Sequence, residues 1–198
     1  MRKRKIGAVA LLLGLSLLVL ASCGNGTFEF REKIRWGMSM EEVSEIEGET
    51  TNQQQFYDDV TVLTYQEMPV SKYQGDLGYV FYSDRLVSCA YSLWENDEST
   101  GVTDTLKNAL DSVYGNSVET SAKELCEILD VLSPYHEPEE SFQNRLLYKW
   151  NAPGNTAIFL IGSEDYQAVL YASPECLKIK RETDVKTADP EEINKTGL

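Results

Sequence analysis

The sequence has little positive charge. It carries 18 Lys and Arg residues against 32 Asp and Glu residues, which gives a formal net charge of −14. Binding to nucleic acid and direct adhesion to anionic lipid both require positive charge. The composition therefore predicts no nucleic-acid partner and argues against direct adhesion to anionic lipid. The acidic excess favours solubility through self-repulsion, with a basic partner or loosely held cations as the alternative.

The sequence also lacks the short motifs that carry common enzyme chemistry. It has one histidine and no CxxC, HExxH, GxSxG or phosphate-loop motif. Zinc needs several His or Cys ligands at suitable spacing, and the acidic loops at 95–98 and 137–140 lack the alternating pattern of a calcium loop. The sequence predicts no metal site, no cofactor and no catalytic residue.

Long apolar runs are scarce, and the one that exists lies at the start of the chain. The run Ile6 to Leu20 follows a basic head at residues 2–5 and is shorter than the roughly 20 residues of a membrane span, which is typical of an export signal. The LASC tetrapeptide that ends at Cys23 resembles the lipobox of bacterial lipoproteins. We therefore predict a signal peptide over 1–22 and lipid on Cys23, with an ordinary cleaved signal as the alternative.

Lipid on Cys23 would hold the protein on the extracytoplasmic face of the bacterial cell membrane. Each buried methylene contributes about 0.8 kcal/mol, so two or more acyl chains anchor a protein stably. Residues 23–29 would form a short tether, since an extended chain covers about 3.5 Å per residue. Cleavage would remove four of the 18 basic residues and none of the 32 acidic ones, so the anchored chain would carry a net charge of −18.

Three cysteines would remain after cleavage, namely Cys89, Cys126 and Cys176. The compartment permits disulfides, but an odd number leaves at least one thiol free in a monomer. Cys89 lies in an alternating strand pattern, which favours a buried and inert thiol. The alternative is a small hydrolase or thiol enzyme in which Cys89 or Cys126 reacts beside His136.

The segment IRWGMSMEEVSEIEG, residues 34–48, predicts a short helix with both ends specified. Ser39 and Glu42 fit a capping box, and Met38 and Val43 fit a hydrophobic staple. Gly48 is placed to end the helix in a left-handed conformation. The glutamates of this segment are therefore explained by helix-end chemistry, which favours negative charge in the first turn, and not by catalysis.

The rest of the chain predicts strands and helices in blocks. Alternating patterns predict a strand at 59–66 and a hairpin at 77–94 that turns at 83–85. Helical spacing predicts helices over 103–115 and 121–132, the second beginning with a capping box of Ser121 and Glu124. Alternating or apolar runs predict three further strands, which form an antiparallel meander over 145–150, 156–162 and 166–172.

This order predicts one α+β domain over residues 30–177. We expect an antiparallel sheet of about six strands with two or three helices packed on one face, in the order α-β-β-β-α-(α)-β-β-β. Residues 178–198 have many charges of both signs and few apolar side chains, which predicts a disordered tail.

The motif WGMSMEEV…EG, leading into YVFYSDRLVSCAYS, resembles the helix-then-strands unit of the small SmpA/OmlA (BamE-like) lipoproteins and of the β-lactamase inhibitory protein-like fold group. The resemblance covers residues 34–94, and 103–172 repeat the element order without a WGMS-type start. The chain lacks the Gly-x-Pro that the family often places after this helix. The resemblance implies a binding module without catalysis, which serves envelope assembly in one branch and enzyme inhibition in another.

The second arm of the predicted hairpin supplies a candidate interaction surface. Val87, Cys89, Tyr91 and Leu93 are expected to share the core face of this strand. On the other face, Ser88 and Ser92 are small and lie beside Trp94, and exposed aromatic residues on such a face suit a protein-binding hot spot. We therefore expect a non-catalytic interaction module with a protein partner in the cell envelope; a solute-binding lipoprotein would normally need two lobes and a longer chain.

Overall fold

The computed structural model describes residues 28–31, 33–70, 73–94, 101–133, 136–163 and 166–179, without the side chain of Trp94. The predicted signal peptide, Cys23 and most of the predicted tail lie outside the described residues. The described part contains three helices, which are α1 (Met40–Glu47), α2 (Val102–Tyr114) and α3 (Ala122–Leu132). It also contains eight strands, which are β1 (Asn52–Tyr57), β2 (Val60–Val70), β3 (Tyr73–Tyr82), β4 (Arg85–Trp94), β5 (Val118–Glu119), β6 (Leu146–Ala152), β7 (Thr156–Gly162) and β8 (Tyr166–Ala172).

The eight strands form one antiparallel sheet in the order β1-β2-β3-β4-β8-β7-β6-β5. Two four-stranded blocks, β1 to β4 and β5 to β8, join where β4 pairs with β8 from Ser88 opposite Ala172 to Trp94 opposite Tyr166. Among the described residues, no helix is long and apolar enough to cross a membrane.

Both faces of the sheet are packed against helices. The alternation of side chains along β8 illustrates this, since Val169 and Tyr171 belong to one core and Leu170 to the other. The first face is covered by α1 and α2 through Val43, Leu106 and other residues of those helices. The second face is covered by α3, whose buried side chains are Leu125, Ile128, Val131 and Leu132.

The predicted sheet of about six strands with helices on one face is therefore wrong. The sheet has two more strands, and its helices are divided between the two faces. The sequence NQQQFY of β1 is polar and gives no clear alternation, and β5 has only two residues, so neither strand was recognisable. The apolar stripe of α3 predicts a buried face but does not tell which side of the sheet it covers.

The predicted ends of α1 are confirmed. The Ser39 hydroxyl accepts from the Glu42 amide at 3.2 Å, and the Ser39 amide donates to the Glu42 carboxylate at 2.8 Å. Gly48 ends the helix as predicted, with φ of 91° and ψ of −157°, so its conformation favours glycine but is not the left-handed helical one that was expected. The capping box predicted for α3 forms only in part: Ser121 caps the Glu124 amide at 3.2 Å, whereas the Glu124 carboxylate is bound by the side chains of Thr120 and Lys149.

The face assignment of the β3–β4 hairpin is shifted by a bulge. The pairing of Val80 with Ser88 is followed directly by that of Phe81 with Leu86, so Val87 is an extra residue in β4. Val87 consequently packs into the core of the second face, while Leu86 packs into that of the first face with Cys89 and Leu93. The sequence pattern alone placed Val87 on the wrong face because it carries no signal of the bulge.

Residues 28–37, here called the N-terminal segment, lie on the first face and pack into its core. Phe28 and Phe30 are 4% and 7% exposed. Arg31 forms an ion pair with Glu47 at 3.1 Å and donates to the Tyr91 hydroxyl at 3.2 Å, and the Tyr79 hydroxyl donates to Glu47. Phe28 thus already belongs to the folded domain, five residues after Cys23.

The strands have two opposite ends that matter for function. We call one the tether end, where β4 begins at Arg85, β8 ends at Ala172 and Phe28 contacts Tyr171. The other is called the far end, where β6 begins at Leu146 and β8 at Tyr166. The seven residues of β6 run from the far end to the tether end, a distance of about 20 Å at about 3.3 Å per residue.

Candidate functional site

The predicted interaction residues on β4 are only partly accessible. Ser88 is 0% exposed and donates to the Tyr171 carbonyl at 2.7 Å. The Ser92 and Tyr166 hydroxyls lie 3.2 Å apart and share a hydrogen bond. The Trp94 side chain lies outside the described part, although its backbone ends β4 at the far end. Ser88 therefore cannot touch a partner, and a binding role for Trp94 stays a prediction.

His136 has both ring nitrogens occupied by oxygen atoms. Nε2 lies 2.5 Å from the Asp130 carboxylate, and Nδ1 lies 2.7 Å from the Glu137 carbonyl. The side chain is 12% exposed. A His–Asp pair is present, but the ring has no nitrogen left to accept a proton from a thiol in this arrangement.

The three described thiols lie in environments that disfavour the reactive thiolate. Burial raises the pKa of Cys89 far above its usual value. Burial together with the carboxylates of Glu139 and Asp130 raises the pKa of Cys126 to about 11, and burial raises that of Cys176 to about 12. All three are free cysteines. Since the thiolate is the nucleophile, these thiols are weakly reactive at neutral pH.

In the described ranges, no group of three or more His, Cys, Asp or Glu side chains is arranged to hold a metal ion. Of the two acidic loops, residues 95–98 lie outside the described residues. In the other, Glu137 accepts two hydrogen bonds from Arg145 at 2.7 and 2.8 Å. That carboxylate is thus already engaged by a cation.

A pocket of about 510 Å³ opens at the tether end. We call it the tether-end pocket; its lining includes Phe28, Arg35, Trp36, Arg85, Glu175 and Lys178. These residues come from the N-terminal segment, the start of β4 and the short 3₁₀ helix that follows β8. Three basic side chains and one carboxylate therefore meet there, in a chain that is otherwise rich in acid.

Backbone pairing and ring contacts hold the N-terminal side of this pocket in place. The Gly37 amide donates to the Leu86 carbonyl at 2.9 Å, and Gly37 has φ of 83°, which favours glycine at this turn. The Trp36 indole donates to the Thr156 hydroxyl at 2.8 Å and its ring stacks on Phe28 with centroids 5.4 Å apart. The aromatic wall is therefore fixed to β7 and β4.

The basic side chains of the pocket are exposed and loosely paired. Arg85 lies 3.3 Å from Glu175, with side chains 60% and 44% exposed. Arg35 lies 3.6 Å from Glu29, and the Arg35 side chain is 57% exposed. Among the described residues, Lys178 has no ion pair within 4.0 Å. Exposed pairs of this kind stabilise by about 1 kcal/mol or less, so the guanidinium groups can exchange partners.

A second pocket, of about 440 Å³, lies at the far end. It is lined by residues that include Glu119, Phe142, Arg145, Leu146, Leu147 and Tyr148. Leu146 in this lining is 53% exposed, although it is apolar. We call this pocket the far-end surface. Val118, which pairs with Lys149 in the middle of β6, lies on the edge strand between the two ends.

Neither surface leaves a signal in the sequence. Arg35, Arg85 and Lys178 are separated by long stretches of chain, and each read alone is an ordinary surface residue. Glu119 is brought to Tyr148 by the pairing of β5 with β6, and β5 was not recognisable.

Comparison of this chain with protein-family models, with curated proteins and with solved structures finds no match. The resemblance to the SmpA/OmlA lipoproteins and to the β-lactamase inhibitory protein-like group therefore stays a prediction. The functional argument below depends on the residues of this chain.

Proposed function

We propose that the protein is a lipoprotein anchored through Cys23 to the extracytoplasmic face of a bacterial membrane, where it acts by binding a protein of the cell envelope and not by catalysis. The observation that carries this proposal is the position of Phe28. It is buried in the domain only five residues after the cysteine of the lipobox.

This spacing sets the orientation of the domain. Five residues span at most about 18 Å. A lipid on Cys23 would thus keep the tether end next to the bilayer and turn the far end away from it. A partner in the envelope would meet the far end first.

The far-end surface has the character of a protein-binding site. Exposed Leu146 shares the lining of this pocket with Tyr148 and Arg145, and aromatic and arginine side chains are enriched in binding hot spots. The backbone of Trp94 ends at the same end of the sheet, which is consistent with a binding role there.

The alternative, a thiol enzyme with His136, has less support. The His136 ring is occupied by Asp130 and Glu137, and the pKa of Cys126 is raised to about 11. These contacts favour a structural role for the histidine, which links α3 to the loop after it.

Two measurements test the proposal. The full chain is expressed in a bacterial host, and mass spectrometry of the exported protein should show a lipid-modified cysteine at the amino terminus; an unmodified terminus or an intact leader would contradict the anchor. Intact cells are then crosslinked, and the variant Leu146→Ser should lose the captured protein. The matched control Val113→Ser, which changes an exposed valine on α2, should keep it. Equal capture by all forms would contradict the far-end site.

A further inference from the structure

The strand β1 forms one edge of the sheet. It pairs with β2 on one side, and no described strand lies on its other side. Alternate residues of an antiparallel edge strand point their backbone N–H and C=O groups away from the neighbouring strand. We propose that this edge binds an extended, basic segment of another protein, which pairs with β1 as an additional strand. The proposal depends neither on the lipid anchor nor on the far-end surface.

The sequence of β1 leaves this edge unprotected. Proteins usually guard an edge strand with lysine, proline, a bulge or a very short strand. Residues 52–55 read NQQQ, without a charge or a proline, and the bulge of β1 comes only after Gln55. Asn52, Gln53 and Gln55 are exposed. The opposite edge strand, β5, has only two residues, and one of them is Glu119. Of these two edges, β1 is therefore the one that is open to pairing.

Both ends of β1 are held by the rest of the domain. The Thr51 amide donates to the Thr64 carbonyl at 2.9 Å. At the other end, Phe56 and Tyr57 pack against the core of the second face, and the Tyr57 hydroxyl donates to the Asp130 carbonyl at 3.4 Å. The strand is thus already extended and ordered, so a partner segment would pay little conformational entropy on the side of this chain.

The charges around β1 favour a basic partner. Residues 36–71 include eight acidic side chains and no Lys, Arg or His. Glu49 precedes β1 and Asp58 follows it, and both are exposed. Within the described part of the chain, neither has a basic partner within 4.0 Å. The six residues of β1 cover about 20 Å, so a strand with a basic residue at each end would bring one positive charge towards each carboxylate.

The same charges disfavour a second copy of this chain at the edge. An antiparallel pair of two β1 strands would bring Glu49 of one copy towards Asp58 of the other. Like charges placed opposite each other destabilise such a pair. The formal net charge of −14 on each chain adds to the repulsion. A basic segment of a different protein avoids both costs.

The test uses the full protein, purified in a neutral detergent, and the fluorescein-labelled peptide KTVTVTK, whose β-branched centre favours an extended strand. Fluorescence anisotropy should show saturable binding, and the exchange of the amide hydrogens of residues 52–55 should slow in the complex. The acidic peptide ETVTVTE should bind at least tenfold more weakly. A KTVTVTK peptide that is N-methylated at its five central residues keeps its charges but lacks those backbone donors, and it should also bind at least tenfold more weakly.

Two variants of the protein locate the site. Gln53→Lys/Gln55→Lys places positive charge on the edge, so it should bind KTVTVTK at least tenfold more weakly and should gain affinity for ETVTVTE. The matched control Asn108→Lys/Asn116→Lys makes the same change of charge at two exposed amide side chains, on α2 and in the turn after it. This control should bind KTVTVTK as the unaltered protein does. Thermal unfolding checks that both variants are folded.

The outcomes separate the possible occupants of the edge. Equal binding of ETVTVTE would overturn the basic partner, and equal binding of the N-methylated peptide would overturn strand pairing in favour of attraction by charge alone. No binding of any peptide, or an equal loss of binding in the control variant, would overturn the site. A dimer of the unaltered protein in sedimentation, with a monomer for Gln53→Lys/Gln55→Lys, would show that a second copy occupies the edge and would contradict the proposal.

Discussion

The two ends of the sheet differ in what they expose. The tether end presents Arg35, Arg85 and Lys178 around an aromatic wall, whereas the far end presents exposed Leu146 in a pocket with Tyr148 and Arg145. Both ends belong to the same sheet and are joined by β6. One domain thus carries two unlike surfaces, and under the proposed lipid anchor a short tether would decide which of them meets the membrane.

Two ion pairs, one on each face of the sheet, also differ in how their charges are held. Beneath the N-terminal segment, the Glu47 carboxylate is 3% exposed and is bound by Arg31 and Tyr79. Near the far end, Glu124 is 41% exposed and pairs with Lys149, which lowers its pKa. The N-terminal segment is therefore fixed by a buried pair. Removing the carboxylate of this pair should cost far more of the free energy of unfolding than removing the carboxylate of the exposed pair.

The largest expected effect is that of Glu47→Ala. It leaves the Arg31 guanidinium without its carboxylate beneath the segment, and breaking a buried pair in this way costs about 4 kcal/mol of the free energy of unfolding. The matched change at the exposed pair, Glu124→Ala, should cost about 1 kcal/mol or less. Urea unfolding measures both, and equal losses would contradict the difference between the two pairs.

The next largest effect is expected at alkaline pH, which should lower the contribution of the first face to the free energy of unfolding. Burial, partly offset by Arg31, raises the pKa of Tyr91 to about 12, and burial raises the pKa of Tyr79 further. Because these folded-state values lie above the unfolded value of about 10, their contribution is complete below pH 10 and is lost as the pH rises from 10 through 12.

The free energy of unfolding should fall by the order of 2 kcal/mol through Tyr91 alone, since one unit of pKa corresponds to about 1.4 kcal/mol. Unfolding by urea between pH 8 and pH 12 measures it. The variant Tyr91→Phe should show a shallower decline, and an unchanged slope would contradict the assignment.

A smaller effect is expected for Trp36→Phe, which tests the wall of the tether-end pocket. The change keeps the ring but removes the indole donor, and it leaves the buried Thr156 hydroxyl without this partner. A cost of about 1.5 kcal/mol is expected for such a group. Thermal unfolding measures the loss of stability. A variant as stable as the unaltered protein would show that the indole bond does not fix the wall.

The smallest expected effect is that of Ser39→Ala at the start of α1. Loss of a helix cap costs about 1 kcal/mol, and α1 is the helix that presents Glu47 at its last residue. The comparable change on the second face, Ser121→Ala, removes a single cap bond and should cost no more. Urea unfolding of both variants compares the two caps; a larger loss at Ser121 would reverse the expected order.

The sequence predicted local structure better than assembly. The capping box of α1 is encoded within four residues, so Ser39 and Glu42 revealed it, and Gly48 marked the end. The side of the sheet on which α3 packs depends on the path of the whole chain, and the bulge at Val87 depends on pairing with β3. Neither the side on which α3 packs nor the bulge at Val87 is encoded in a local sequence pattern.

The candidate sites were less predictable for the same reason. A basic pocket made by Arg35, Arg85 and Lys178 exists only because the N-terminal segment, β4 and the chain after β8 meet at one end of the sheet. The predicted surface on β4 failed at Ser88 because β8 pairs with that strand and the second core covers its face. Small residues on a strand are equally suited to a close neighbour and to an open surface.

The orientation of the anchored domain is tested most directly by placing a spin label at either end. Leu177→Cys and Leu146→Cys are labelled separately in the lipid-anchored protein, with Cys126→Ser in both, and the protein is placed in vesicles whose headgroups carry chelated nickel. The label at 177 should relax strongly through contact with the nickel, and the label at 146 should not. Equal relaxation at the two positions, or stronger relaxation at 146, would contradict the account.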